Sequence, residues 1–288
     1  MSNSTDLVHR FLFDDLDIRG AHVRLGSSWQ AILAGRDYPA PVSAVLGEMC
    51  AISTLIAANL KQAGRLTFQL SGDGLVPMLV VDCNSALNLR GYAALEATVP
   101  ANADLSALLG NGRLLMTLDL GQGQAKPFQS YVAIEGKDTS EVFATYLERS
   151  EQCETWLMLV ADDQVAAGFF LQKLPDADRR DADGWSRITQ LAQTIKREEL
   201  LGLDAERLLT RLFHEETVRL FEPGNVTHHF PPDPDKITAM LRSLGREEIE
   251  RILAEHGEVQ VSDDLSNNHY RFSADEARRL FDEPPTLH

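Results

Sequence analysis

The sequence predicts an α+β protein. It expects a sheet-rich N-terminal domain with a buried helix, a helical linker region, and a small C-terminal module of two helices, a hairpin and a last helix. Three observations carry this expectation. Over the first 175 residues, short apolar runs with period two alternate with runs at helical spacing. A charged stretch without large apolar residues, Pro175 to Gly184, interrupts the pattern, and beyond it the spacing becomes helical. A proline-rich segment near Pro231, Pro232 and Pro234 then opens a short unit of its own. The 288 residues suit about two domains at ~150 residues each, and suffice for a sizeable core. The expected divisions are residues 1–175, a linker over 176–222, and a module over 223–288.

The elements follow in order. Val42, Val45, Leu46, Met49, Ile52, Ser53 and Ile56 recur at helical spacing, with Pro41 near the start and little that looks solvent-facing, so a buried helix is expected. Leu66 to Leu70 alternates with period two, and Gly72-Asp73-Gly74 turns the chain toward an apolar strand at Met78–Asp82. Further strands are expected at Leu89–Ala93, Arg113–Leu120 and Phe128–Ile134, with turns at Gly110-Asn111-Gly112 and over 121–123. Thr139–Gln152 reads as a helix, and Trp156–Val160 and Ala166–Leu174 as strands.

In the linker, Ile188, Leu191 and Ile195 form one stripe, and Asp204 N-caps a helix carrying Leu208, Leu209, Leu212 and Phe213. In the module, Pro234 follows a capping Asp233 at the start of a helix with Ile237, Met240, Leu241 and Leu244 on one face. Ile249, Ile252 and Leu253 mark a second helix ended by Gly257. Val259 and Val261 pair with Tyr270 and Phe272 in a hairpin, and Ser273-Ala-Asp-Glu276 is a capping box that opens the last helix.

Composition narrows the function. The net charge of −16 repels phosphate backbones and anionic membranes, so nucleic acid and membrane are not expected partners. A chain that is 44% hydrophobic is not intrinsically disordered. The apolar stretch Met49–Leu60 is too short for a bilayer, which needs about 20 residues. The first residues show no basic region followed by an apolar core, so no secretory signal is expected and a cytoplasmic location is. Cys50, Cys83 and Cys153 are odd in number and form no C-x-x-C, which argues against a disulfide framework and a thiolate zinc site.

No constellation supports an enzyme. Gly72-Asp73-Gly74 lacks the rest of a phosphate loop, and neither a G-x-S-x-G elbow nor an H-E-x-x-H occurs. His214-Glu215-Glu216 is expected on the solvated end of a helix. His228, His229, Asp263, Asp264 and His269 could offer metal ligands in principle, but adjacent histidines on extended chain point to opposite faces. Nothing provides a nucleophile, a base and an orienting group together.

A series of short motifs runs in order from His9-Arg10-Phe11-Leu12-Phe13 to Phe272. It includes Tyr38-Pro39-x-Pro41, Gly72-Asp73-Gly74, Arg90-Gly91, Gly110-Asn111-Gly112, Arg149-Ser150-Glu151-Gln152, Ala166-Ala167-Gly168 and Leu171-Gln172. His214-Glu215-Glu216, Ala254-Glu255-x-Gly257-Glu258 and Asn268-His269-Tyr270-x-Phe272 continue it. In their order and spacing the chain resembles the heat shock protein 33 family. The resemblance implies an ATP-independent holdase, a stress-response chaperone of the cytoplasm that binds unfolding proteins and prevents their aggregation. It also implies unfolding clients as partners and allows a homodimer in the active state.

One departure stands out. The family carries C-x-C and then C-x-x-C, which bind one zinc. Here these positions read Phe230-Pro231-Pro232 and Asp263-Asp264-Leu265-Ser266. The ligand positions are therefore Phe230, Pro232, Asp263 and Ser266, so neither zinc nor a thiol switch carries over, and no cofactor is expected. Phe230 is expected to fill the vacated space against Ile237, Leu241, Val261 and Tyr270. In the family, linker helices and the C-terminal domain cover apolar surface on the N-terminal domain. The corresponding client-binding or clamp surface here is Ile188, Leu191, Ile195, Leu208, Leu209, Leu212 and Phe213. A stripe with this spacing serves equally as permanent core. An adaptor that binds one specific partner on the same fold is the alternative function.

Overall fold

The computed structural model describes residues 6–60, 62–121 and 126–282. Residues 1–5 of the N-terminal segment, and the expected turn from residue 122 onward, lie outside the described residues. The chain divides into two compact units, one through His228 and one from His229.

In the first unit, β1 (Leu7–Phe13) and β2 (Ile18–Leu25) form a hairpin followed by α1 (Ser27–Leu33) and α2 (Ala40–Ala57). Then come β3 (Arg65–Ser71), β4 (Met78–Asn84), β5 (Leu89–Ala94), α3 (Leu105–Leu109), β6 (Arg113–Asp119) and β7 (Phe128–Ala133). α4 (Thr139–Glu151), β8 (Thr155–Ala161) and β9 (Ala166–Lys173) lead into the linker. The linker holds α5 (Ala177–Arg180), α6 (Gly184–Ala192), α7 (Arg197–Gly202) and α8 (Ala205–Phe213), and short strands β10 (Val218–Leu220) and β11 (Gly224–Asn225) follow.

Among the described residues, β5-β4-β3-β6-β7 form one antiparallel sheet. A second is ordered β10-β1-β2-β9-β8, with β11 also on β1. α2 lies between the sheets and packs on β2, β8 and β9 of one and β3, β4 and β5 of the other. That position explains its composition, because a helix covered all round has no need of a polar face. α2 is long and apolar enough to cross a membrane by length and composition, but 67% of it is buried inside the protein. The approach is close: a Cβ at Gly168 of β9 would lie 2.9 Å from both Leu55 and Leu159.

Several of the quoted motifs act as structural ties. Asp73 accepts hydrogen bonds from the Asn111 backbone N–H at 2.7 Å and from its side-chain amide at 3.1 Å, which joins the two glycine turns. Gly110, with φ +58°, provides the left-handed residue that this turn requires. Arg90 is paired with the buried Asp82 through Nε at 2.9 Å. The Tyr38 hydroxyl accepts the Ala93 N–H, and buried Gln172 accepts from Arg19 at 2.7 Å. Asp6, buried, receives Ser28 N–H and Oγ and so caps α1.

The second unit comprises α9 (Pro234–Leu244), α10 (Arg246–His256), the hairpin β12 (Glu258–Asp263) and β13 (Asn268–Ser273), and α11 (Ala274–Arg279). Asp233 caps α9, Gly257 ends α10 in the left-handed conformation, and Ser273 with Glu276 forms the capping box of α11. Its core is Ile237, Leu241, Ile249, Leu253, Val259 and Ala277. Phe230 is not part of it, contrary to expectation. It is half-buried, and the groups that pack on this core from the hairpin are Val261, Tyr270 and Phe272. Polar ties fix the chain here instead: the Phe230 carbonyl accepts from the Asn268 side chain at 2.9 Å, and the Tyr270 hydroxyl accepts from the Asp233 N–H at 2.8 Å.

Candidate functional site

The six-stranded sheet alternates strictly between two destinations. Val8, Ala21, Val23, Leu25, Leu157, Leu159, Ala166 and Phe170 join the core around α2. Their neighbours in sequence, among them Phe11, Phe13, Ile18, Ala167, Phe169 and Leu171, form a separate apolar cluster on the opposite face. Pleat periodicity produces this division, and it buries β9 on both sides.

The second face is covered by the linker. Ile188, Ile195, Leu208, Leu209, Leu212 and Phe213 are buried in that cluster, and Leu191 packs on it partly exposed. The stripe expected from sequence therefore meets on one surface. Its centre is aromatic: Phe213 stands edge-on to Phe13 at 4.9 Å and lies 6.3 Å from Phe169, while Phe11 lies 5.4 Å from Phe169.

The covering helices are short and are fixed by polar ties. The expected loop at Pro175–Gly184 contains α5, with Ala177 buried and Arg180 donating to the Asp14 carbonyl at 2.6 Å. Arg24 of β2 donates to the Leu201 carbonyl at 2.7 Å. Arg187 of α6 pairs with Glu216 at 2.7 Å and Asp181 at 3.0 Å. Glu216 is thus a partner that holds the cover, whereas His214 and Glu215 are solvent-exposed as expected. Arg197 donates to the Ala161 carbonyl, and Asp204 caps α8 through the Arg207 N–H. A groove of about 380 Å³ beside α8 is lined by Leu209, Phe213, Val218 and Leu220.

Sequence reasoning missed what lies beneath. His22 of β2 is fully buried on this face, and neither ring nitrogen has a hydrogen-bond partner. Burial pushes its pKa down to about 3, reinforced by nearby His9 and Arg24 and opposed by Asp204. Ala21, Val23 and Leu25 alternate with His22 as a strand would, but Arg19 breaks the apolar parity, and the β1–β2 hairpin itself was not anticipated.

The four positions expected to correspond to metal ligands, Phe230, Pro232, Asp263 and Ser266, do not present a set of zinc donors. Phe230 and Pro232 have no donor atom in their side chains. The Asp263 carboxylate accepts the Ser266 N–H at 3.3 Å and closes the hairpin turn, and Ser266 is buried. His228 binds the Leu89 carbonyl through Nδ1 at 2.9 Å, and His269 bonds Ser262. Among the described residues, no group of three or more His, Cys, Asp or Glu is arranged to hold a metal ion. Burial pushes the Cys83 thiol up to about 12 and Cys50 further in the same direction, while Cys153 is half-buried.

The model of the "Hsp33 protein" family matches residues 6–273. The chain belongs to the Hsp33 family. It is 42% identical over 281 residues to the 33 kDa chaperonin of Chromobacterium violaceum, covering 97% of this chain and 95% of that one. It is also 42% identical to the 33 kDa chaperonin of Nitrosococcus oceani, over 98% of this chain and 96% of the relative. The crystal structure of the Thermotoga maritima Hsp33 homologue superposes with a TM-score of 0.83 at 23% identity, covering 96% of this chain and 98% of that chain, and shares the fold. The family is one of chaperones, not enzymes.

Proposed function

We propose that this chain is an ATP-independent holdase of the cytoplasm, and that it exposes client-binding surface when the linker helices lift from the six-stranded sheet. The observation that carries this reading is the cover itself. α6, α7 and α8 are nine, six and nine residues long. Helices this short are marginal alone, so docking and helicity are lost together. Lifting them uncovers Phe11, Phe13 and Phe169 and frees the stripe from Ile188 to Phe213. Unfolding clients present the same kind of apolar surface and bury it there. Such a segment is core held with less free energy than the rest.

The thiol and zinc switch has no counterpart in this reading. The ligand positions lack the donors that zinc selects, and burial keeps Cys50 and Cys83 as protonated, unreactive thiols. Heat is the activating signal that remains from the family's stress role.

An aggregation assay with several unrelated clients, run at ordinary and raised temperature and with and without peroxide, tests this function. Near-stoichiometric protection of all clients on heating, unchanged by peroxide, is expected, together with no stoichiometric zinc by elemental analysis. Protection of no client would point to an adaptor. Strong activation by peroxide that a thiol reductant reverses, or one zinc per chain, would overturn the switchless reading.

A further inference from the structure

We propose that acid opens the linker cover, because His22 lies sealed beneath it without a hydrogen-bond partner and takes up a proton only when the cover lifts. The proposal rests on the reading of the linker as a removable cover and names a second signal for it.

The geometry is that of a proton-binding group held where it cannot bind a proton. His22 sits opposite His9 in the β1–β2 register, with Phe169 of β9 alongside at 6.3 Å. Neither ring nitrogen reaches an acceptor. A charged imidazolium without a partner is strongly disfavoured in such a place. Two residues along the same face, Arg24 donates to Leu201 at the end of α7, so the cover closes directly over this part of the strand.

The surrounding charges do not rescue the imidazolium. Arg24 and His9 disfavour it, and Asp204 at the start of α8 is the acidic group that acts in its favour. Asp204 is already engaged as a helix cap and lies 3.5 Å from Arg207. On α7, Glu199 is paired with Arg211 of α8. On α6, Arg187 is spent on Glu216 and Asp181. β9 contributes apolar Ala167, Phe169 and Leu171. Glu48, pushed up to about 7 by burial on α2, bonds Thr139 at the start of α4 and is also drawn to Arg197 of α7. Its response to acid is shared by the wild type and His22→Leu, so the difference between the two proteins reads His22.

The direction follows from linkage. With the cover on, His22 stays neutral down to about pH 3; exposed, it titrates near 6.5. Between these values the open state binds one more proton, so each unit of pH favours opening about tenfold. At pH 5, roughly 1.5 units below the open-state value, the gain is about thirtyfold. His9, also lowered by burial, adds in the same sense.

The test is hydrogen exchange of residues 184–213 in the full chain at constant temperature, corrected for the intrinsic pH dependence, from pH 7.5 to 5. The expected result is an opening constant that rises about thirtyfold for the wild type and loses most of that rise in His22→Leu. Parallel responses of the two proteins, or an unchanged linker at pH 5, would overturn the proposal. Should His22→Leu not fold, the His22 ring signals of the wild type decide: absence of titration while the linker remains protected supports it, and a midpoint near 6.5 with the cover closed sinks it. The exchange readout uses no client. Acid opening without protection of any client would sink the chaperone reading alone, and heat-activated protection with a linker closed at pH 5 would sink this inference alone.

Discussion

The two faces of the six-stranded sheet are both buried, but by covers of opposite character. On one side lies α2, a single helix of 18 residues with 12 of them buried, held between two sheets. On the other lie three short linker helices joined by non-helical residues and tied by Arg24, Arg187, Arg197 and Arg211. One cover has neighbours on every side. The other has the sheet beneath and solvent above, and α8 carries exposed Glu206, Arg207 and Arg211 on its outer face. Burial alone does not separate a helix packed on every side from helices packed on one side only; continuity and the number of packed sides do.

The sharpest way to break that comparison is to weaken each cover in turn. Phe213→Ala removes the ring that joins α8 to Phe13 and Phe169, at a cost of about 3–5 kcal/mol. If the linker is a separate cooperative unit, it opens while the body stays folded. Holdase activity at ordinary temperature should rise, and the thermal transition of the N-terminal domain should shift little. Met49→Ala in α2 should cost about 2–5 kcal/mol, but there the loss should appear in global unfolding, with no gain in protection below the transition. Equal global destabilisation by both variants, measured by calorimetry, would erase the distinction.

A smaller effect sharpens it. Arg187 joins α6 to Glu216 and Asp181, and these contacts are partly exposed. Arg187→Met should therefore release the cover by about 1 kcal/mol, read as a modestly lower activation temperature in the aggregation assay. An unchanged activation temperature would show that apolar packing alone holds α6.

These differences also mark what was legible in the sequence. α2, the strands from β3 to β9 and the Asp233, Gly257 and Ser273 caps of the second unit follow from local periodicity and cap chemistry, which depend on a few neighbouring residues. The stripe at Ile188, Ile195, Leu208 and Phe213 was visible for the same reason. Its receiving surface was not. Phe11, Phe13 and Phe169 come from strands more than 150 residues apart in the chain, and β1 pairs with β10 and β11, which follow the linker helices. His22 was hidden because a buried, unpartnered histidine has the same letter as a solvated one. Glu216 was read as solvated because its partner, Arg187, lies 29 residues away.

The least effect is expected in the second unit, where the structure reverses an expectation. A Phe where the resemblance implies a metal ligand suggests that its ring takes over as an organising centre. Phe230 is instead half-buried and outside the core formed by Ile237, Leu241, Ile249, Leu253, Val259 and Ala277. What organises this unit is distributed: the Asp233, Gly257 and Ser273 caps, the Arg278–Glu250 pair at 2.9 and 3.0 Å, and the Asp263–Ser266 turn. The Phe230 backbone carbonyl accepts from Asn268, and a side-chain substitution leaves that bond in place. Phe230→Ala should therefore cost at most about 1 kcal/mol, while Ile249→Ala should cost about 2–5 kcal/mol. Limited proteolysis between residues 223 and 237 checks this. Cleavage of Phe230→Ala as fast as that of Ile249→Ala would restore Phe230 as the replacement for the metal, and would set this unit beside the linker as a second region held by one aromatic contact.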